Sequence, residues 1–254
     1  MDLTFLGTGT SQGVPVIACD CSVCISTDVN DNRLRTSAMI TIDGSNYVID
    51  SGPDFRQQML REKVQDLRAI LFTHEHKDHV AGMDDVRAFN FKHNKDMDLY
   101  CDLNVQKALL REYPYVFSDF KYPGVPEVKV HQICGDQSFT IDGNLFTPIE
   151  VMHYKLPVLG YRVGDLTYIT DAKTVIEKEI EKIKGSKVLV VNALRIKEHI
   201  SHFNLEQALS FINKVNPERA YLTHISHLMG KHKDVVKLLP DNVFLAYDGL
   251  KIKV

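Results

Sequence analysis

Short apolar runs of strand length recur along the whole chain, and helical stretches separate only some of them. In the first third, the runs LTFLGTG, SAMITID, NYVIDSG and LRAILFTH are bounded by Gly, Asp and Asn, which is typical of strands. The second half repeats this pattern with FTPIEVMH, LGYRVG, LTYITD, KVLVVNAL and RAYLTH. The periodicity predicts helices at DFRQQMLREKV, NVQKALLREY, KTVIEKEIEKIKG and NLEQALSFINKV. A chain with this alternation is expected to fold as an α/β domain or as a two-layer sandwich of sheets.

The length of 254 residues is sufficient to bury a large core, and we expect a single domain over residues 1–254. No linker, low-complexity tract or short-period repeat divides the sequence. The segment from about Phe91 to Pro126 is aromatic, contains prolines and reads as irregular. We expect it to be either a lid or wall of a substrate cleft, or a packed surface loop.

The net charge of −3 gives the chain no general attraction to polyanions, so nucleic acid is not an expected partner. The N-terminus lacks a basic segment followed by a long apolar one, and no later run reaches membrane-spanning length. We therefore expect a cytoplasmic protein with no membrane partner. The oligomeric state stays open, with a homodimer as one option.

The stretch AILFTHEHKDHVAG, residues 69–82, places four metal-binding side chains within six positions: His74, His76, Asp78 and His79. A loop with only a structural role is better served by Gly, Pro, Asn or Ser. In an extended loop the alternate residues His74 and His76 can point to one side, while Asp78 and His79 can turn to another. This segment therefore predicts two half-sites, and two metal ions explain it better than one.

Three further candidates, His153, Asp171 and His224, each follow an apolar run that reads as a strand. Taken alone, each histidine is more often a surface or capping residue than a ligand, and Asp171 could cap a helix starting near Lys173. Strand ends, however, hold side chains on a rigid scaffold beside solvent-facing loops. Together with the cluster at 74–79, these residues predict one organised site.

The segment THEHKDH resembles the H-x-H-x-D-H signature of the metallo-β-lactamase superfamily, and His153, Asp171 and His224 follow in that family's order. NYVIDSG, with Asp50 and Gly52, also matches the superfamily's early strand-end motif. The resemblance covers essentially the whole chain. It implies an α/β fold in which two mixed β-sheets pack face to face as an αββα sandwich flanked by helices, with the metals at one edge.

The resemblance also implies a role for each candidate. One metal would be held by His74, His76 and His153, the other by Asp78, His79 and His224, with Asp171 bridging the two. The expected cofactors are two divalent ions, zinc or manganese, which tolerate mixed imidazole and carboxylate ligands. In such a pair, about 3.5–4 Å apart, a shared water is acidified enough to act as a hydroxide near neutral pH. Asp78 and Asp171 would therefore belong to the catalytic machinery, and hydrolysis is the expected chemistry.

A second cluster has the spacing C-x-C-x-x-C, formed by Cys19, Cys21 and Cys24 in ACDCSVC. Spacing alone leaves a metal site and three ordinary thiols equally open. This cluster and His227, three residues after His224, are similar to the Cys₃His zinc set of the PhnP-like branch, the phosphoribosyl cyclic phosphate phosphodiesterases. RLRTSAMI and FLGTGTSQGVP also look like that branch. The resemblance implies one structural zinc.

The same branch implies a catalytic histidine on the loop before the last ligand strand, where RIKEHISHFNLEQAL offers His199 and His202. We favour His202, because it stands immediately before FNLEQAL, as the family's histidine stands before a helix. His199 and a solvent-facing position for both are the alternatives. A histidine there could hydrogen-bond a phosphoryl oxygen or protonate the leaving group.

The sequence thus predicts a dinuclear metal-dependent phosphodiesterase whose partner is a small phosphate ester, either cyclic or a diester, attacked by a metal-bridging hydroxide. One alternative is an endonuclease that trims transfer RNA precursors, although no Gly-rich basic arm is present. Another is a lactone or thioester hydrolase on the same metal core. A metal-stabilised binding module is the non-enzymatic alternative.

Overall fold

The computed structural model describes residues 1–254, in which two seven-stranded sheets pack face to face. The first sheet has the order β14-β1-β2-β3-β4-β5-β6. Its strands are β1 (Asp2–Gly7), β2 (Ser37–Ile42), β3 (Ser45–Ile49), β4 (Ala69–Leu71), β5 (Met97–Cys101), β6 (Val128–Gln132) and β14 (Lys251–Lys253). The second sheet has the order β13-β12-β11-β10-β9-β8-β7. Its strands are β7 (Phe139–Ile141), β8 (Asn144–His153), β9 (Leu156–Val163), β10 (Leu166–Tyr168), β11 (Val188–Asn192), β12 (Arg219–Thr223) and β13 (Val243–Leu245).

Both sheets are mixed in the same way. In the first, β14, β1, β2 and β3 pair antiparallel, and β3, β4, β5 and β6 pair parallel. In the second, β7 to β10 pair antiparallel, and β10 to β13 pair parallel. The carboxyl ends of the parallel strands therefore open at one edge of the sandwich, where loops can gather side chains from both sheets.

The helices cover the outer faces of the sheets. They are α1 (Phe55–Arg61), α2 (Lys77–Val80), α3 (Arg87–His93), α4 (Leu103–Glu112), α5 (Pro114–Phe117), α6 (Glu177–Ile183), α7 (Leu205–Val215) and α8 (His232–Val235). One buried cluster joins α1, α3 and α4 to the first sheet, a second fills the space between the sheets, and a third joins α6 and α7 to the second sheet. The expected αββα sandwich is confirmed.

Alternation along a strand explains how one sheet contributes to two cores. Tyr47 and Ile49 of β3 lie in the cluster between the sheets, whereas Val48 lies in the cluster under the helices. Successive side chains of a strand point to opposite faces, so a strand covered on both sides is apolar throughout. This is why NYVIDSG reads as a continuous apolar run.

Helix α7 begins with a capping box that fixes the loop preceding it. The Asn204 side chain accepts a hydrogen bond from the Gln207 backbone N–H at 2.9 Å, and the Gln207 side chain accepts one from the Asn204 N–H at 3.3 Å. Such a pair satisfies two N–H groups that the helix itself leaves free. His202, two residues earlier, is therefore held close to a well-defined helix start.

Two expectations from the sequence need correction. The segment 91–126 is less irregular than expected, because it contains β5 and α5 in addition to α4, which is the helix predicted at NVQKALLREY. The helix predicted at KTVIEKEIEKIKG begins only at Glu177, because Lys173 and Thr174 donate backbone hydrogen bonds to the carbonyl of Met152. No helix of the structure is both long and apolar enough to cross a membrane.

Candidate metal centre

The predicted ligands meet at one edge of the sandwich. His74 follows β4, His153 is the last residue of β8, Asp171 lies beyond β10, and His224 follows β12 directly. The short helix α2 carries Asp78 together with His79. The structure therefore brings residues from five separate parts of the chain to one place.

Three residues at this edge adopt the left-handed backbone conformation although none is glycine: Asp50 (φ 62°), Asp171 (φ 57°) and His224 (φ 55°). Each stands at the end of a strand, where the unusual φ turns the side chain out of the strand's alternation. Asp and His are among the residues that tolerate this conformation best. Residues held in sparsely populated regions cluster at functional sites, which agrees with their position here.

Asp78, His79 and His224 form one compact group, whose potential ligand atoms all lie within 4.8 Å of one another. His79 Nε2 lies 3.2 Å from Asp78 Oδ2, and His224 Nε2 lies 3.9 Å from the same oxygen. Asp171 stands beside both imidazoles, with Oδ2 at 3.3 Å from His79 Nε2 and Oδ1 at 3.2 Å from His224 Nε2. This is the group of residues expected for the second half-site.

The other expected half-site, His74, His76 and His153, is assembled more loosely. The ring of His76 lies 4.6 Å from that of His74 and 5.2 Å from that of His153, measured between centroids. Two other groups have all their potential ligand atoms within 4.8 Å of one another. One consists of His74, His79 and Asp171, and the other of His153, Asp171 and His202. Asp171 thus lies within reach of both halves of the site.

Asp50 lies behind the histidines and orients two of them. Its Oδ2 accepts hydrogen bonds from His79 Nδ1 at 2.7 Å and from Thr73 Oγ1 at 2.8 Å, while its Oδ1 accepts one from Thr73 N at 2.8 Å. His74 Nδ1 in turn lies 3.0 Å from Thr73 Oγ1, and donates to it because that hydroxyl proton points at Asp50. Both imidazoles therefore present Nε2 to the centre. In the sequence, Asp50 is distinguished only by its place in the motif NYVIDSG at the end of a strand.

Several buried nitrogen atoms at this site have no hydrogen-bond partner: His74 Nε2, His79 Nε2, His202 Nδ1 and both ring nitrogens of His224. Buried polar groups in proteins are nearly always paired. Convergent, unpaired imidazole nitrogens beside two carboxylates are a donor set that suits divalent ions such as zinc or manganese. The residues present therefore fit the metals that the sequence resemblance implies.

The protonation states of His74 and Asp171 point the same way, whereas an ion would have to displace a proton from His79. Burial would lower the pKa of His79, but Asp78, Asp50 and Asp171 raise it well above its usual range. Burial lowers the pKa of His74 well below its usual range, so this imidazole is neutral. Burial would raise the pKa of Asp171, but the neighbouring His224, His79 and His74 lower it well below its usual range. Neutral imidazoles and ionised carboxylates are the forms that bind metal ions.

A threonine precedes three of the candidate ligands, and the three hydroxyl groups differ in their contacts. Thr170 Oγ1 donates to Asp171 Oδ2 at 2.7 Å, and Thr73 Oγ1 contacts Asp50 as described above. The buried hydroxyl of Thr223, which precedes His224, has no partner. Thr170 therefore fixes one oxygen of the carboxylate that lies between the half-sites.

His202 lies inside the site, and His199 lies at its rim. The ring of His202 is 4.5 Å from that of His153 and 4.9 Å from that of His224, and its Nδ1 lies 3.6 Å from Asp171 Oδ1. Burial lowers the pKa of His202 to about 3, so its imidazole is neutral. His199 is partly exposed and lies 5.2 Å from His202 between ring centroids. Because His202 is buried, the alternative in which both histidines face solvent does not hold.

The cysteine cluster meets His227, although Cys19 is 208 residues away from it in sequence. The sulfur atoms of Cys19, Cys21 and Cys24 lie 3.3, 3.4 and 3.5 Å from His227 Nδ1. Sulfur and nitrogen ligands sharing a tetrahedral zinc are separated by about 3.6 Å. All five cysteines of the chain are free thiols rather than disulfides. The geometry therefore fits a Cys₃His metal site.

The backbone around the cluster supports thiolate character. The N–H of Cys24 donates to Cys21 Sγ at 3.5 Å, and this bond is the main reason why the pKa of Cys21 falls to about 6. Burial instead raises the pKa of Cys24 to about 11. A metal ion would have to displace the proton from Cys24, as coordination to thiols generally does.

Comparison with known proteins places the chain in a family. Residues 45–225 match the model of the β-lactamase superfamily domain. The chain belongs to the metallo-β-lactamase superfamily, as its signature segment indicated. This match spans the segment 74–79 and reaches His224, so it includes every candidate ligand of the dinuclear site.

Over its full length, the chain is similar to a solved diphosphatase of the PhnP family, with 36% identity, a TM-score of 0.93 and coverage of 100% of this chain and 97% of that chain. It is also 39% identical over 253 residues to an octanoyltransferase of Porphyromonas gingivalis, covering 99% of this chain and 51% of that protein. A ribonuclease Z of Cyanothece sp. is 29% identical over 170 residues, 65% of this chain and 47% of that protein. The chain thus spans about half the length of the curated relatives it matches.

These similarities confirm the superfamily, its hydrolase character and the PhnP-like branch that the cysteine cluster together with His227 resembled. They do not agree on one activity, because the three relatives carry three different names. The bond that this chain cleaves must therefore be argued from its own site.

Proposed function

We propose that the chain is a metal-dependent phosphodiesterase that hydrolyses a small cyclic or diester phosphate. The observation that carries the proposal is the position of Asp171, whose carboxylate lies beside His79 and His224 of one expected half-site and also groups with His74 and with His153 of the other. A single carboxylate shared between two donor groups supports a pair of ions. A pair of ions suits attack at phosphorus, where both the entering and the leaving oxygen need stabilisation.

The donor set divides as the family resemblance implies. His74, His76 and His153 would hold one ion, Asp78, His79 and His224 the other, and Asp171 would contact both. When bound, the ions would supply a water acidic enough to attack phosphorus near neutral pH and positive charge for the phosphoryl oxygens. Asp50 and Thr73 keep the proton of each buried imidazole on Nδ1, which leaves Nε2 free. This orientation of ligands by neighbouring groups is general in metal sites.

His202 would act on the substrate rather than on the metals. Its ring faces Asp171 and His224 and is buried at the side of the site formed by the loop before α7. As a neutral imidazole it can donate a hydrogen bond to a phosphoryl oxygen or to the oxygen of the leaving group. The tight group that it forms with His153 and Asp171 makes metal binding the competing role.

The Cys₃His cluster would hold a structural zinc. Four protein ligands leave no open position, so this ion would have no Lewis-acid role in hydrolysis. Its effect would be to fasten the loop that carries Cys19, Cys21 and Cys24 to His227, three residues after the candidate ligand His224.

The similarity to a diphosphatase suggests a first alternative, in which the bond cleaved is a phosphoanhydride and the electrophile is still phosphorus. The ribonuclease Z relative suggests a second alternative, in which the bond cleaved is still a phosphodiester but the substrate is transfer RNA. Hydrolysis of a lactone or a thioester would move the attack to carbon on the same metal core. These are the alternatives that an experiment has to separate.

The test is a hydrolysis panel with protein reconstituted separately with zinc and with manganese. The panel contains a cyclic phosphate, a linear diester, a diphosphate ester, a monoester, a transfer RNA precursor, a lactone and a thioester. We expect the highest kcat/KM for the cyclic phosphate or the linear diester. A higher kcat/KM for the lactone or the thioester would refute attack at phosphorus, and a preference for the diphosphate or the RNA would assign the corresponding alternative.

A further inference from the structure

Four two-residue turns connect neighbouring antiparallel strands, and their residues fall into two kinds. Asp43-Gly44 joins β2 to β3, Asp142-Gly143 joins β7 to β8, and Gly164-Asp165 joins β9 to β10. These pairs are the ones that tight turns between strands favour, because Gly and Asp tolerate a positive φ. The fourth turn, between β8 and β9, consists of Tyr154 and Lys155.

Tyr154 adopts φ 57°, which is sterically disfavoured for a large side chain. Asp43 (φ 49°), Asp142 (φ 49°) and Gly164 (φ 55°) occupy the corresponding left-handed region in the other turns with residues suited to it. Those three turns lie at the edge remote from the metal centre, since β3 and β8 start there and run towards Asp50 and His153. The one turn with an unsuitable residue is therefore the one beside the site.

The position of this turn explains why a strained tyrosine would be kept. Tyr154 directly follows the candidate ligand His153, whose Nδ1 donates to the Ser201 carbonyl at 2.9 Å. This bond joins the turn to the loop that carries His202. Tyr154, next to His153 in sequence, is 54% exposed, and Ile200, next to Ser201, is 67% exposed. The Lys155 ammonium lies 5.3 Å from the centre of the Tyr154 ring.

We propose that Tyr154 is a specificity-determining residue that stacks on a planar ring in the substrate, such as the base of a nucleotide ester. Lys155 supplies a positive charge beside the ring, which suits the negative charge of a phosphate ester. An exposed aromatic ring beside a cation is the combination that proteins use to stack bases next to their phosphates. The inference rests on the proposed function only in taking the substrate to be a phosphate ester.

The experiment measures ligand binding and thermal stability, because neither quantity requires the protein to turn over a substrate. Isothermal titration of the metal-loaded protein compares AMP with ribose 5-phosphate, which carries the same sugar phosphate without the ring. We expect the wild-type protein to bind AMP about 5- to 100-fold more tightly, which corresponds to stacking of one base. Tyr154→Phe should keep this preference, and Tyr154→Asn should reduce it to about twofold or less.

Thermal unfolding tests the strain independently. Asn accepts a left-handed φ, so Tyr154→Asn should raise the melting temperature by about 2–4 °C while the preference for AMP is lost. The matched control is Asp43→Asn, because Asp43 is an exposed residue with a left-handed backbone in a turn remote from the site. This substitution should change neither the melting temperature nor the preference for AMP. Equal binding of AMP and ribose 5-phosphate by the wild-type protein, or an unchanged AMP preference in Tyr154→Asn, overturns the inference. A stable, selective protein that hydrolyses none of the phosphate esters would instead refute the proposed function alone.

Discussion

The side chain of Asp50 offers the sharpest test of how the metal centre is built. It is fully buried and accepts three hydrogen bonds, two from Thr73 and one from His79. In Asp50→Asn the side chain keeps its shape, but one oxygen acceptor becomes an NH₂ donor. If the NH₂ takes the place of Oδ2, it forces His79 to carry its proton on Nε2, the atom that faces the centre. If it takes the place of Oδ1, two donors meet at the Thr73 N–H.

Either orientation of the amide has a measurable cost. The first should weaken metal binding about 10- to 100-fold, the usual effect of removing a group that orients a metal ligand. The second leaves a buried donor unpaired and should lower the free energy of unfolding by about 1–3 kcal/mol. We expect the loss of affinity to be larger for one ion than for the other, because His79 contacts Asp50 directly and His74 only through Thr73.

The measurement is a titration of metal-free protein with zinc and with manganese against a chromophoric chelator, together with thermal unfolding. The matched control is Asp98→Asn, because Asp98 also accepts a short hydrogen bond from a histidine, His131 Nε2 at 2.6 Å. That pair lies away from the centre, beside Arg68, so the control should lower stability without changing metal affinity. Metal affinity within twofold of wild type together with an unchanged melting temperature in Asp50→Asn would match neither orientation of the amide and would refute the orienting role.

Three further substitutions test the assigned roles. Asp171→Ala should abolish hydrolysis and weaken both ions together; one fully occupied site with substantial activity would contradict a bridging carboxylate. His202→Ala should lower kcat about 10²- to 10⁴-fold with unchanged metal content, and less for a nitrophenolate leaving group if His202 protonates the leaving oxygen. A parallel fall in metal content would make His202 a ligand. Cys21→Ser should release one zinc per chain and lower the melting temperature while the dinuclear site stays loaded. Wild-type protein with no zinc beyond the pair, and freely reactive thiols, would exclude the structural site.

The convergence of the candidate ligands was predictable because most of them follow strands. The runs AILFT, IEVM, TYIT and AYLT contribute to β4, β8, β10 and β12, which all run towards the same edge of the sandwich. In the second sheet β10 and β12 lie in the parallel part, and β8 runs in the same direction because β8 and β10 both pair antiparallel with β9, whereas β4 belongs to the first sheet. The local spacing within THEHKDH also separates the residues into two groups, because Asp78 and His79 lie in α2 whereas His76 precedes that helix. These features depend on short-range patterns that a sequence displays directly.

Other features depend on tertiary contacts that no local pattern contains. The spacing of Cys19, Cys21 and Cys24 did not show that His227 would lie against them, and only the resemblance to a family suggested it. Asp50 orients His79 directly, but it orients His74 only because the Thr73 hydroxyl lies between Asp50 and His74. The strand β5 was missed because MDLYC is only five residues long and a charged residue, Asp98, interrupts its apolar side chains. A short run of this kind is ambiguous until neighbouring strands pair with it.

The segment 224–227, which joins the two candidate metal sites, is held from both sides by hydrogen bonds. Ile225 N donates to the Thr8 carbonyl at 2.8 Å, and Thr10 N donates to the Ile225 carbonyl at 3.1 Å. On the other side, Ser226 N and Ser226 Oγ both donate to the Leu194 carbonyl, at 2.9 and 2.8 Å. Residues 224–227 are therefore fixed between the end of the first strand and the loop before α7.

This arrangement gives the cysteine cluster a mechanical connection to the chemistry without any contact with substrate. A metal held by Cys21 and its neighbours would anchor His227, and His227 is separated from His224 only by the two residues that these hydrogen bonds fix. The same bonds reach the loop that carries His202. Loss of the cluster should therefore first loosen His224 and His202 together, because they share this support, while His74 and His79 remain held by Asp50 on the other sheet. The half-site of Asp78, His79 and His224 thus depends on both supports, because Asp50 holds His79 and the segment 224–227 holds His224.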